Sequence, residues 1–226
     1  GQFKDLTSID SVLHGLKLLG FDDVFEVARG ADFATEFTKY QIKHTNPKRP
    51  IISSSCPAVV RLVQVRFPEL ISNLADVQSP MEIAAQIAKD NFSREHGVDI
   101  EEIGAFFITP CAAKATSIRN PLGTERSSVD GSISILDIYG PLSLVMNKAD
   151  NSCVTTSLRK STLKGVGWAN SGGEGSSLDI DSYLSVDGIS NVIKVLEEIE
   201  NGKLLDLDFF EGLACVGGCV GGPLVF

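Results

Sequence analysis

Along this chain, apolar residues at helical spacing alternate with short, nearly continuous apolar runs. Ile9, Val12, Leu13, Leu16 and Leu19 share one face of a helix expected over Ser8–Leu19, and Gly20 is placed as its C-terminal stop. Val24–Val27 is a short apolar run ending at Arg29-Gly30, after which Ala31–His44 resumes the helical pattern. Pro50-Ile51-Ile52-Ser53 reads as a buried strand entering a turn, and Val59–Phe67 as a helix that Pro68 ends or restarts. Ser79 as N-cap and Pro80 at the first helical position open a helix over Pro80–Asp90. Ala105–Thr109 reads as a buried strand, and Asp137–Met146 and Ile189–Glu200 as helices. Leu207–Phe210 is a short strand or approach segment before a glycine-rich loop. The Gly/Ser-rich stretch Gly165–Ser177 reads as a loop, either ordinary or ligand-facing. Strand and helix alternating over the whole length predict an α/β fold with parallel strands.

Composition narrows the class. A chain of 226 residues and 24.2 kDa can form one large domain or two tightly joined lobes. It buries roughly 70% of its unfolded surface and needs no disulfides to do so. A charged fraction of 22% and a mean hydropathy of +0.11 fit an ordinary globular protein. A net charge of −9 argues against nucleic acid as the main partner. The most apolar stretch, Gly212–Phe226, is broken by five glycines before Pro223, so no membrane span is expected. No signal peptide is visible, and a cytoplasmic setting is expected. The chain starts at Gly1, not Met, which suggests a piece of a larger protein or a tagged form. Five cysteines, an odd count without a secretory signal, point to thiols with a chemical role.

Four of those cysteines lie in three loops of one design, each at the end of an apolar run and beside Pro or Gly. The loops are Ser53-Ser54-Ser55-Cys56-Pro57-Ala58, Thr109-Pro110-Cys111-Ala112-Ala113-Lys114, and Ala214-Cys215-Val216-Gly217-Gly218-Cys219-Val220-Gly221-Gly222-Pro223. Ligands gather at the carboxyl ends of parallel strands, so Cys56, Cys111, Cys215 and Cys219 are candidates for one site. Four thiolates suit zinc or an iron–sulfur cluster. Only Cys215 and Cys219 are close in sequence, a poor zinc-ribbon spacing that better suits a bulkier cluster seated between elements. Glycines around Cys219 let backbone N–H groups approach the anionic sulfurs. Buried structural cysteines beside tight turns remain the competing reading at this point.

The three loops resemble the signature motifs of the iron-only (FeFe) hydrogenases, in the same order and context. Members carry T-S-C-C-P at the first, M-P-C-x-x-K at the second and M-A-C-x-x-G-C-x-x-G-G at the third. The linking text is similar too: Leu19-Gly20-Phe21-Asp22-Asp23-Val24-Phe25, Cys56-Pro57-Ala58-Val59-Val60-Arg61, Phe67-Pro68-Glu69-Leu70-Ile71-Ser72-Asn73-Leu74 and Ser79-Pro80. The resemblance spans essentially residues 1–226 and implies two lobes, each a small mostly parallel sheet flanked by helices, with a cluster in the cleft. That cluster is a 4Fe–4S cubane joined through a cysteine sulfur to a diiron subcluster with carbonyl, cyanide and dithiolate ligands. By motif position, Cys56, Cys111, Cys215 and Cys219 would hold the cubane, and Cys219 would bridge. Lys114 would hydrogen-bond a cyanide, an anionic partner that a buried ammonium needs. Pro57 and Pro110, with Thr109 and Leu213 in place of two methionines, would line the diiron pocket. Ser171 and Gly172 would form part of the cavity wall. Cys153 matches no motif and is expected to be an ordinary thiol.

The departures from the family pattern are systematic. The proton-donating cysteine is replaced by Ser55, whose hydroxyl is a far weaker acid than a thiol of pKa about 8.5. The relay serine becomes Ala75, a relay glutamate becomes Ser117, the upstream acidic pair falls near Phe37 and Thr38, and a glutamine near a carbonyl ligand becomes Met81. The resemblance therefore implies a low-turnover iron-only hydrogenase, an oxidoreductase acting on H2 and protons and used as a hydrogen sensor. The Cys-Val-Gly-Gly-Cys-Val-Gly-Gly-Pro-Leu loop is similar to the sensory branch. Electron-transfer iron–sulfur and signalling domains are the expected partners, with ferredoxin-like or sensory domains adjoining this piece. Two alternatives are an inactive relative and an iron–sulfur scaffold or assembly protein of the Narf-like group, and retention of Lys114 argues against both.

Overall fold

The computed structural model describes residues 8–45, 47–148 and 157–225. The described strands are parallel, as the alternating pattern predicts, and form two separate sheets, as the resemblance implies. The larger contains β1 (Ile51–Ile52), β4 (Tyr183–Asp187) and β5 (Phe209–Leu213) in the order β1-β5-β4. The smaller pairs β2 (Phe106–Thr109) with β3 (Gly131–Ser134), Phe106 opposite Gly131 and Thr109 opposite Ser134.

The helices are α1 (Ile9–Leu18), α2 (Val27–His44), α3 (Pro57–Arg66), α4 (Pro80–His96), α5 (Ala112–Arg119), α6 (Ile135–Lys148), α7 (Leu163–Gly167), α8 (Gly173–Ser177) and α9 (Ile189–Glu200). Ser8 caps α1 through its hydroxyl, and Gly20 beyond its end takes a positive φ of 106°, the stop the sequence suggests. Ser79 occupies the N-cap of α4 but makes no side-chain capping bond, so Pro80 alone supplies the start signal. A 3₁₀ segment, Pro68–Asn73, follows α3, matching the restart expected at Pro68.

β5 is the centre of the larger sheet and is buried along its whole length. Phe209 and Phe210 lie to opposite faces, each fully buried. Phe210 packs in a core with Ile52, Val59, Val63, Val192 and Leu196 from β1, α3 and α9. Phe209 packs with Ile51, Ala75 and Leu178 on the other face. A strand buried on both faces normally reads as a continuous apolar run, and only the first half of β5 shows in the sequence because Glu211 and Gly212 interrupt that run.

Several expectations change. Ala105–Thr109 is not a buried strand: Phe106 is 57% exposed, because a two-stranded sheet covers only part of each strand. The helix expected over Ala31–His44 starts earlier, as α2 at Val27. Gly165–Ser177 is not a plain loop but carries most of α7 and all of α8. The Thr162 hydroxyl accepts from Gly165 N–H and so starts α7 despite the glycines. Cys153 lies outside the described residues. Among the described residues, no helix is long and apolar enough to cross a membrane.

α2 and α4 approach most closely where Gly30 meets Pro80, and a Cβ on Gly30 would sit 2.2 Å from the Pro80 carbonyl oxygen. Ala is the better helix former, yet Gly30→Ala is expected to destabilise the protein by about 1–3 kcal/mol through overpacking. Urea denaturation measures this, and an unchanged or raised midpoint would contradict so close an approach.

Candidate metal centre

Each cysteine loop follows a strand and enters a helix or turn, so the fold itself delivers the thiols. Cys56 follows β1 and is the N-cap residue of α3, and Cys111 follows β2 and is the N-cap residue of α5. Helix N-termini favour thiolate over thiol, because free N–H groups and the helix dipole point at the sulfur. Cys215 and Cys219 follow β5, where the chain turns through Gly217 and Gly218, both at positive φ.

The third loop is tied to its neighbours through backbone. Cys219 N–H donates to the Ala169 carbonyl at 2.8 Å, and Ser171 N–H donates to the Gly217 carbonyl at 3.3 Å. Leu224 N–H donates to the Pro110 carbonyl at 3.0 Å, which joins this loop to the second. A Cβ on Gly222 would lie 2.2 Å from that same carbonyl oxygen, so only glycine allows the two loops to meet. The first loop is anchored to β5 by Ser53 N–H donating to the Phe210 carbonyl at 2.9 Å.

The four thiols sense one another. Burial pushes the Cys219 thiol up to about 11, Lys114 pulls it back, and Cys56, Cys111 and Cys215 raise it further. Burial also raises the Cys215 thiol, with Cys111 and Cys56 adding to it. Four thiolates cannot coexist in this space without positive charge among them, which is the property expected of a metal-thiolate site. Yet no three His, Cys, Asp or Glu among the described residues are close enough to hold a single ion. The thiols converge, but too widely for zinc, and this donor set fits a multi-iron cluster.

A cavity of about 850 Å³ opens beside them, lined by Pro110, Cys111, Lys114, Trp168 and Cys219 among mainly apolar neighbours. The Trp168 indole N–H is buried without a hydrogen-bond partner. Lys114 is 7% exposed, and its ammonium donates to the Ser55 carbonyl at 3.0 Å. That is its one hydrogen bond to a described residue, and among those residues it makes no ion pair, so two donors of a buried cation still need acceptors.

The remaining predicted residues divide. Thr109 is fully buried beneath the second loop, its hydroxyl accepting from Cys111 N–H at 3.0 Å, and Leu213 lies in the core around Phe210. Ser171 and Gly172 adjoin the third loop at the start of α8. None of these four lines the large cavity. Pro57 does not line it either: it borders a separate cavity of about 230 Å³ with Ala75, Met81 and Ser117.

Two further residues escape sequence reasoning. Glu174, in α8, accepts from the Ser53 hydroxyl at 2.6 Å and the Ser55 hydroxyl at 3.3 Å. Glu211, in β5, accepts from Gly175 N–H at 2.9 Å and the Ser185 hydroxyl at 2.8 Å. Burial pushes Glu174 up to about 8, opposed by the Ser53 hydrogen bond and reinforced by Glu211. The available signal was a lone carboxylate inside the apolar run Phe209-Phe210-Glu211-Gly212-Leu213.

Known proteins resemble this chain over most of its length. The family described as iron only hydrogenase large subunit, C-terminal domain, matches residues 2–179 and 142–223. The NADP-reducing hydrogenase subunit HndD of Solidesulfovibrio fructosivorans is 24% identical over 255 residues, 92% of this chain and 44% of that protein. The nuclear prelamin A recognition factor of Homo sapiens is 30% identical over 107 residues, 44% of this chain and 24% of that protein. The chain thus spans less than half the length of these curated relatives. A variant of the FeFe-hydrogenase HydA1 from Chlamydomonas reinhardtii superposes with a TM-score of 0.71 at 18% identity. That match covers 96% of this chain and 73% of the other, and it shows the same fold.

Two outcomes are expected. Cys111→Ala, reconstituted anaerobically with iron and sulfide, should lose the four-iron content of the unmutated chain, and an intact four-iron spectrum would refute the ligand set. Folding gives Glu174 a proton between its usual 4.5 and about 8. The folded state binds more protons there, so stability falls as pH rises through that window. Glu174→Gln should flatten the fall by a few kcal/mol, on the order of 1.4 kcal/mol per pKa unit, in denaturation at several pH values. An identical slope in both proteins would place the proton elsewhere.

Proposed function

The chain belongs to this iron-only hydrogenase family, and we propose that it is a slow, hydrogen-sensing member. Cys56, Cys111, Cys215 and Cys219 would hold a 4Fe–4S cubane, with Cys219 bridging to a diiron subcluster beside Lys114. When bound, that cluster supplies the redox chemistry that splits or forms H2. The chain's own residues bind and enclose it. The apolar cavity limits water, the two helix N-termini stabilise thiolate ligands, and Lys114 offers donors to an anionic ligand. Electron-transfer iron–sulfur domains and a signalling domain are the proposed partners.

The observation that carries this reading is Lys114, a buried ammonium on the cavity wall beside Cys219 with one carbonyl as its hydrogen-bond partner among the described residues. A cubane alone offers it no cyanide-like acceptor. Slow turnover follows from Ser55, because its hydroxyl cannot yield a proton as a thiol does. A second reading, an iron–sulfur scaffold or assembly protein, draws on the likeness to cytosolic Fe-S cluster assembly factors. One from Schizosaccharomyces japonicus is 34% identical over 65 residues, 29% of this chain and 13% of that protein.

Infrared spectroscopy after anaerobic maturation separates the two. Carbonyl and cyanide bands, with slow hydrogen-dependent dye reduction, are expected; a cubane without those bands would support the scaffold. Lys114→Met should lose the bands while keeping four irons. Ser55→Cys should raise turnover by about tenfold or more if donor acidity limits the rate. No gain would move the limiting step away from Ser55.

A further inference from the structure

Beside the smaller sheet lies a further cavity, to which the proposed function gives no task. It measures about 430 Å³ and lies between α4, β2 and residues 20–27, and none of the four candidate ligand cysteines lines it. Five of the chain's twelve phenylalanines do: Phe21, Phe25, Phe92, Phe106 and Phe107. The space between them exists because α4 turns small residues toward it. Ala85 and Ala88 fall between Met81 and Phe92 on the helix face that lines the cavity, where larger side chains would close the gap. Protein interiors hold few voids larger than a water molecule, so a space of this size ringed by aromatic side chains has the build of a ligand pocket.

The polar groups of the cavity narrow the class of ligand. Lys89 lines it next to Ala88 and is 9% exposed. Its ammonium pairs with Asp130 Oδ2 at 2.7 Å. Burial raises the Asp130 carboxyl, but Lys89 and the Ala105 N–H hold it below its usual range, so the pair is ionised at neutral pH. Asp130 is the one partner of Lys89 among the described residues, which leaves donors of a buried ammonium for an acceptor in the cavity. The other charged residues on the wall, Asp22, Asp23 and Glu102, are exposed acids. They disfavour an anion, and Lys89 disfavours a cation. The chemistry that fits is uncharged, flat and aromatic, with an oxygen acceptor for Lys89. A cavity of roughly 150 Å³ takes benzene, so this one has room for roughly two fused rings with a substituent.

We propose that this cavity is a second ligand site, which takes a neutral bicyclic aromatic carbonyl compound among the five phenylalanines, with the carbonyl oxygen accepting from Lys89. Binding here is non-covalent and uses neither the cysteines nor Lys114, so it stands apart from the cluster assignment. The two sites are neighbours all the same, because Phe107 and Val27 line this cavity and the cluster cavity alike.

Titration calorimetry of the full chain with 2-acetylnaphthalene tests this. One molecule should bind per chain, with a dissociation constant on the order of 10 μM. Ala88→Phe fills the cavity from α4 and should weaken binding at least about tenfold while the circular dichroism spectrum is kept. If that variant does not fold, Ala88→Leu carries the same expectation. 2-Ethylnaphthalene has nearly the same size without the oxygen and should bind the unmutated chain about fivefold more weakly. Lys89→Met should erase that preference; if it does not fold, the preference in the unmutated chain carries the test. No saturable binding below about 1 mM would overturn the site. Binding unchanged in the filled variant would place the probe in the cluster cavity or elsewhere and would overturn it too. Equal affinity of the unmutated chain for the two probes would overturn the Lys89 contact, and with it the class of ligand.

Discussion

Four thiols drawn into one partly buried space are the constraint on which this structure depends. Their charges repel, and burial pushes Cys219 up to about 11 even with Lys114 nearby. A protein maintains such a concentration of nucleophiles only if something positive is to be set among them. The rest of the architecture is organised around meeting that demand from three distant stretches of sequence. β1, β2 and β5 each end at a cysteine loop, and two of the loops open directly into helices that favour anionic sulfur.

Backbone contacts hold the meeting place. Gly222 lies against the Pro110 carbonyl, and Cys219 N–H is bound to Ala169, so the loops are fixed to one another independently of any bound group. Beneath them, Phe209 and Phe210 anchor β5 into cores on both faces of the larger sheet. Truncating a buried Phe of this kind costs about 3–5 kcal/mol, more than most contacts in the loops themselves could offset. Rigidity at the sulfurs is thus inherited from the sheet. The same lobe carries the buried Glu174–Glu211 pair.

Much of this was legible in the sequence. The three cysteine loops and the helices at Ser8–Leu19 and Ile189–Glu200 follow from local pattern, because capping residues and helical spacing are local signals, whereas Lys114 was legible only through the family resemblance. β3, Gly-Ser-Ile-Ser, was not legible, since so polar a run becomes a strand only by pairing with β2. α7 and α8 were hidden by their glycines. Gly173 and Gly175 are there for close packing: a Cβ on either would lie 2.4 Å from the Gly167 carbonyl oxygen or the Tyr183 ring. Pro57 opens α3 and borders a cavity separate from the one beside Cys219, a placement that depends on how the loops pack and that the motif alone does not contain. Glu174 and Glu211 are 37 positions apart by number and meet only through the α8–β5 contact, a relation that no local reading contains.

Anomalous X-ray diffraction at the iron edge from crystals of anaerobically matured protein tests the central claim most directly. The expected result is a compact group of four irons among Cys56, Cys111, Cys215 and Cys219, with two more irons beyond Cys219 in the cavity beside Lys114. A single metal ion, or irons bound away from these four sulfurs, would contradict it.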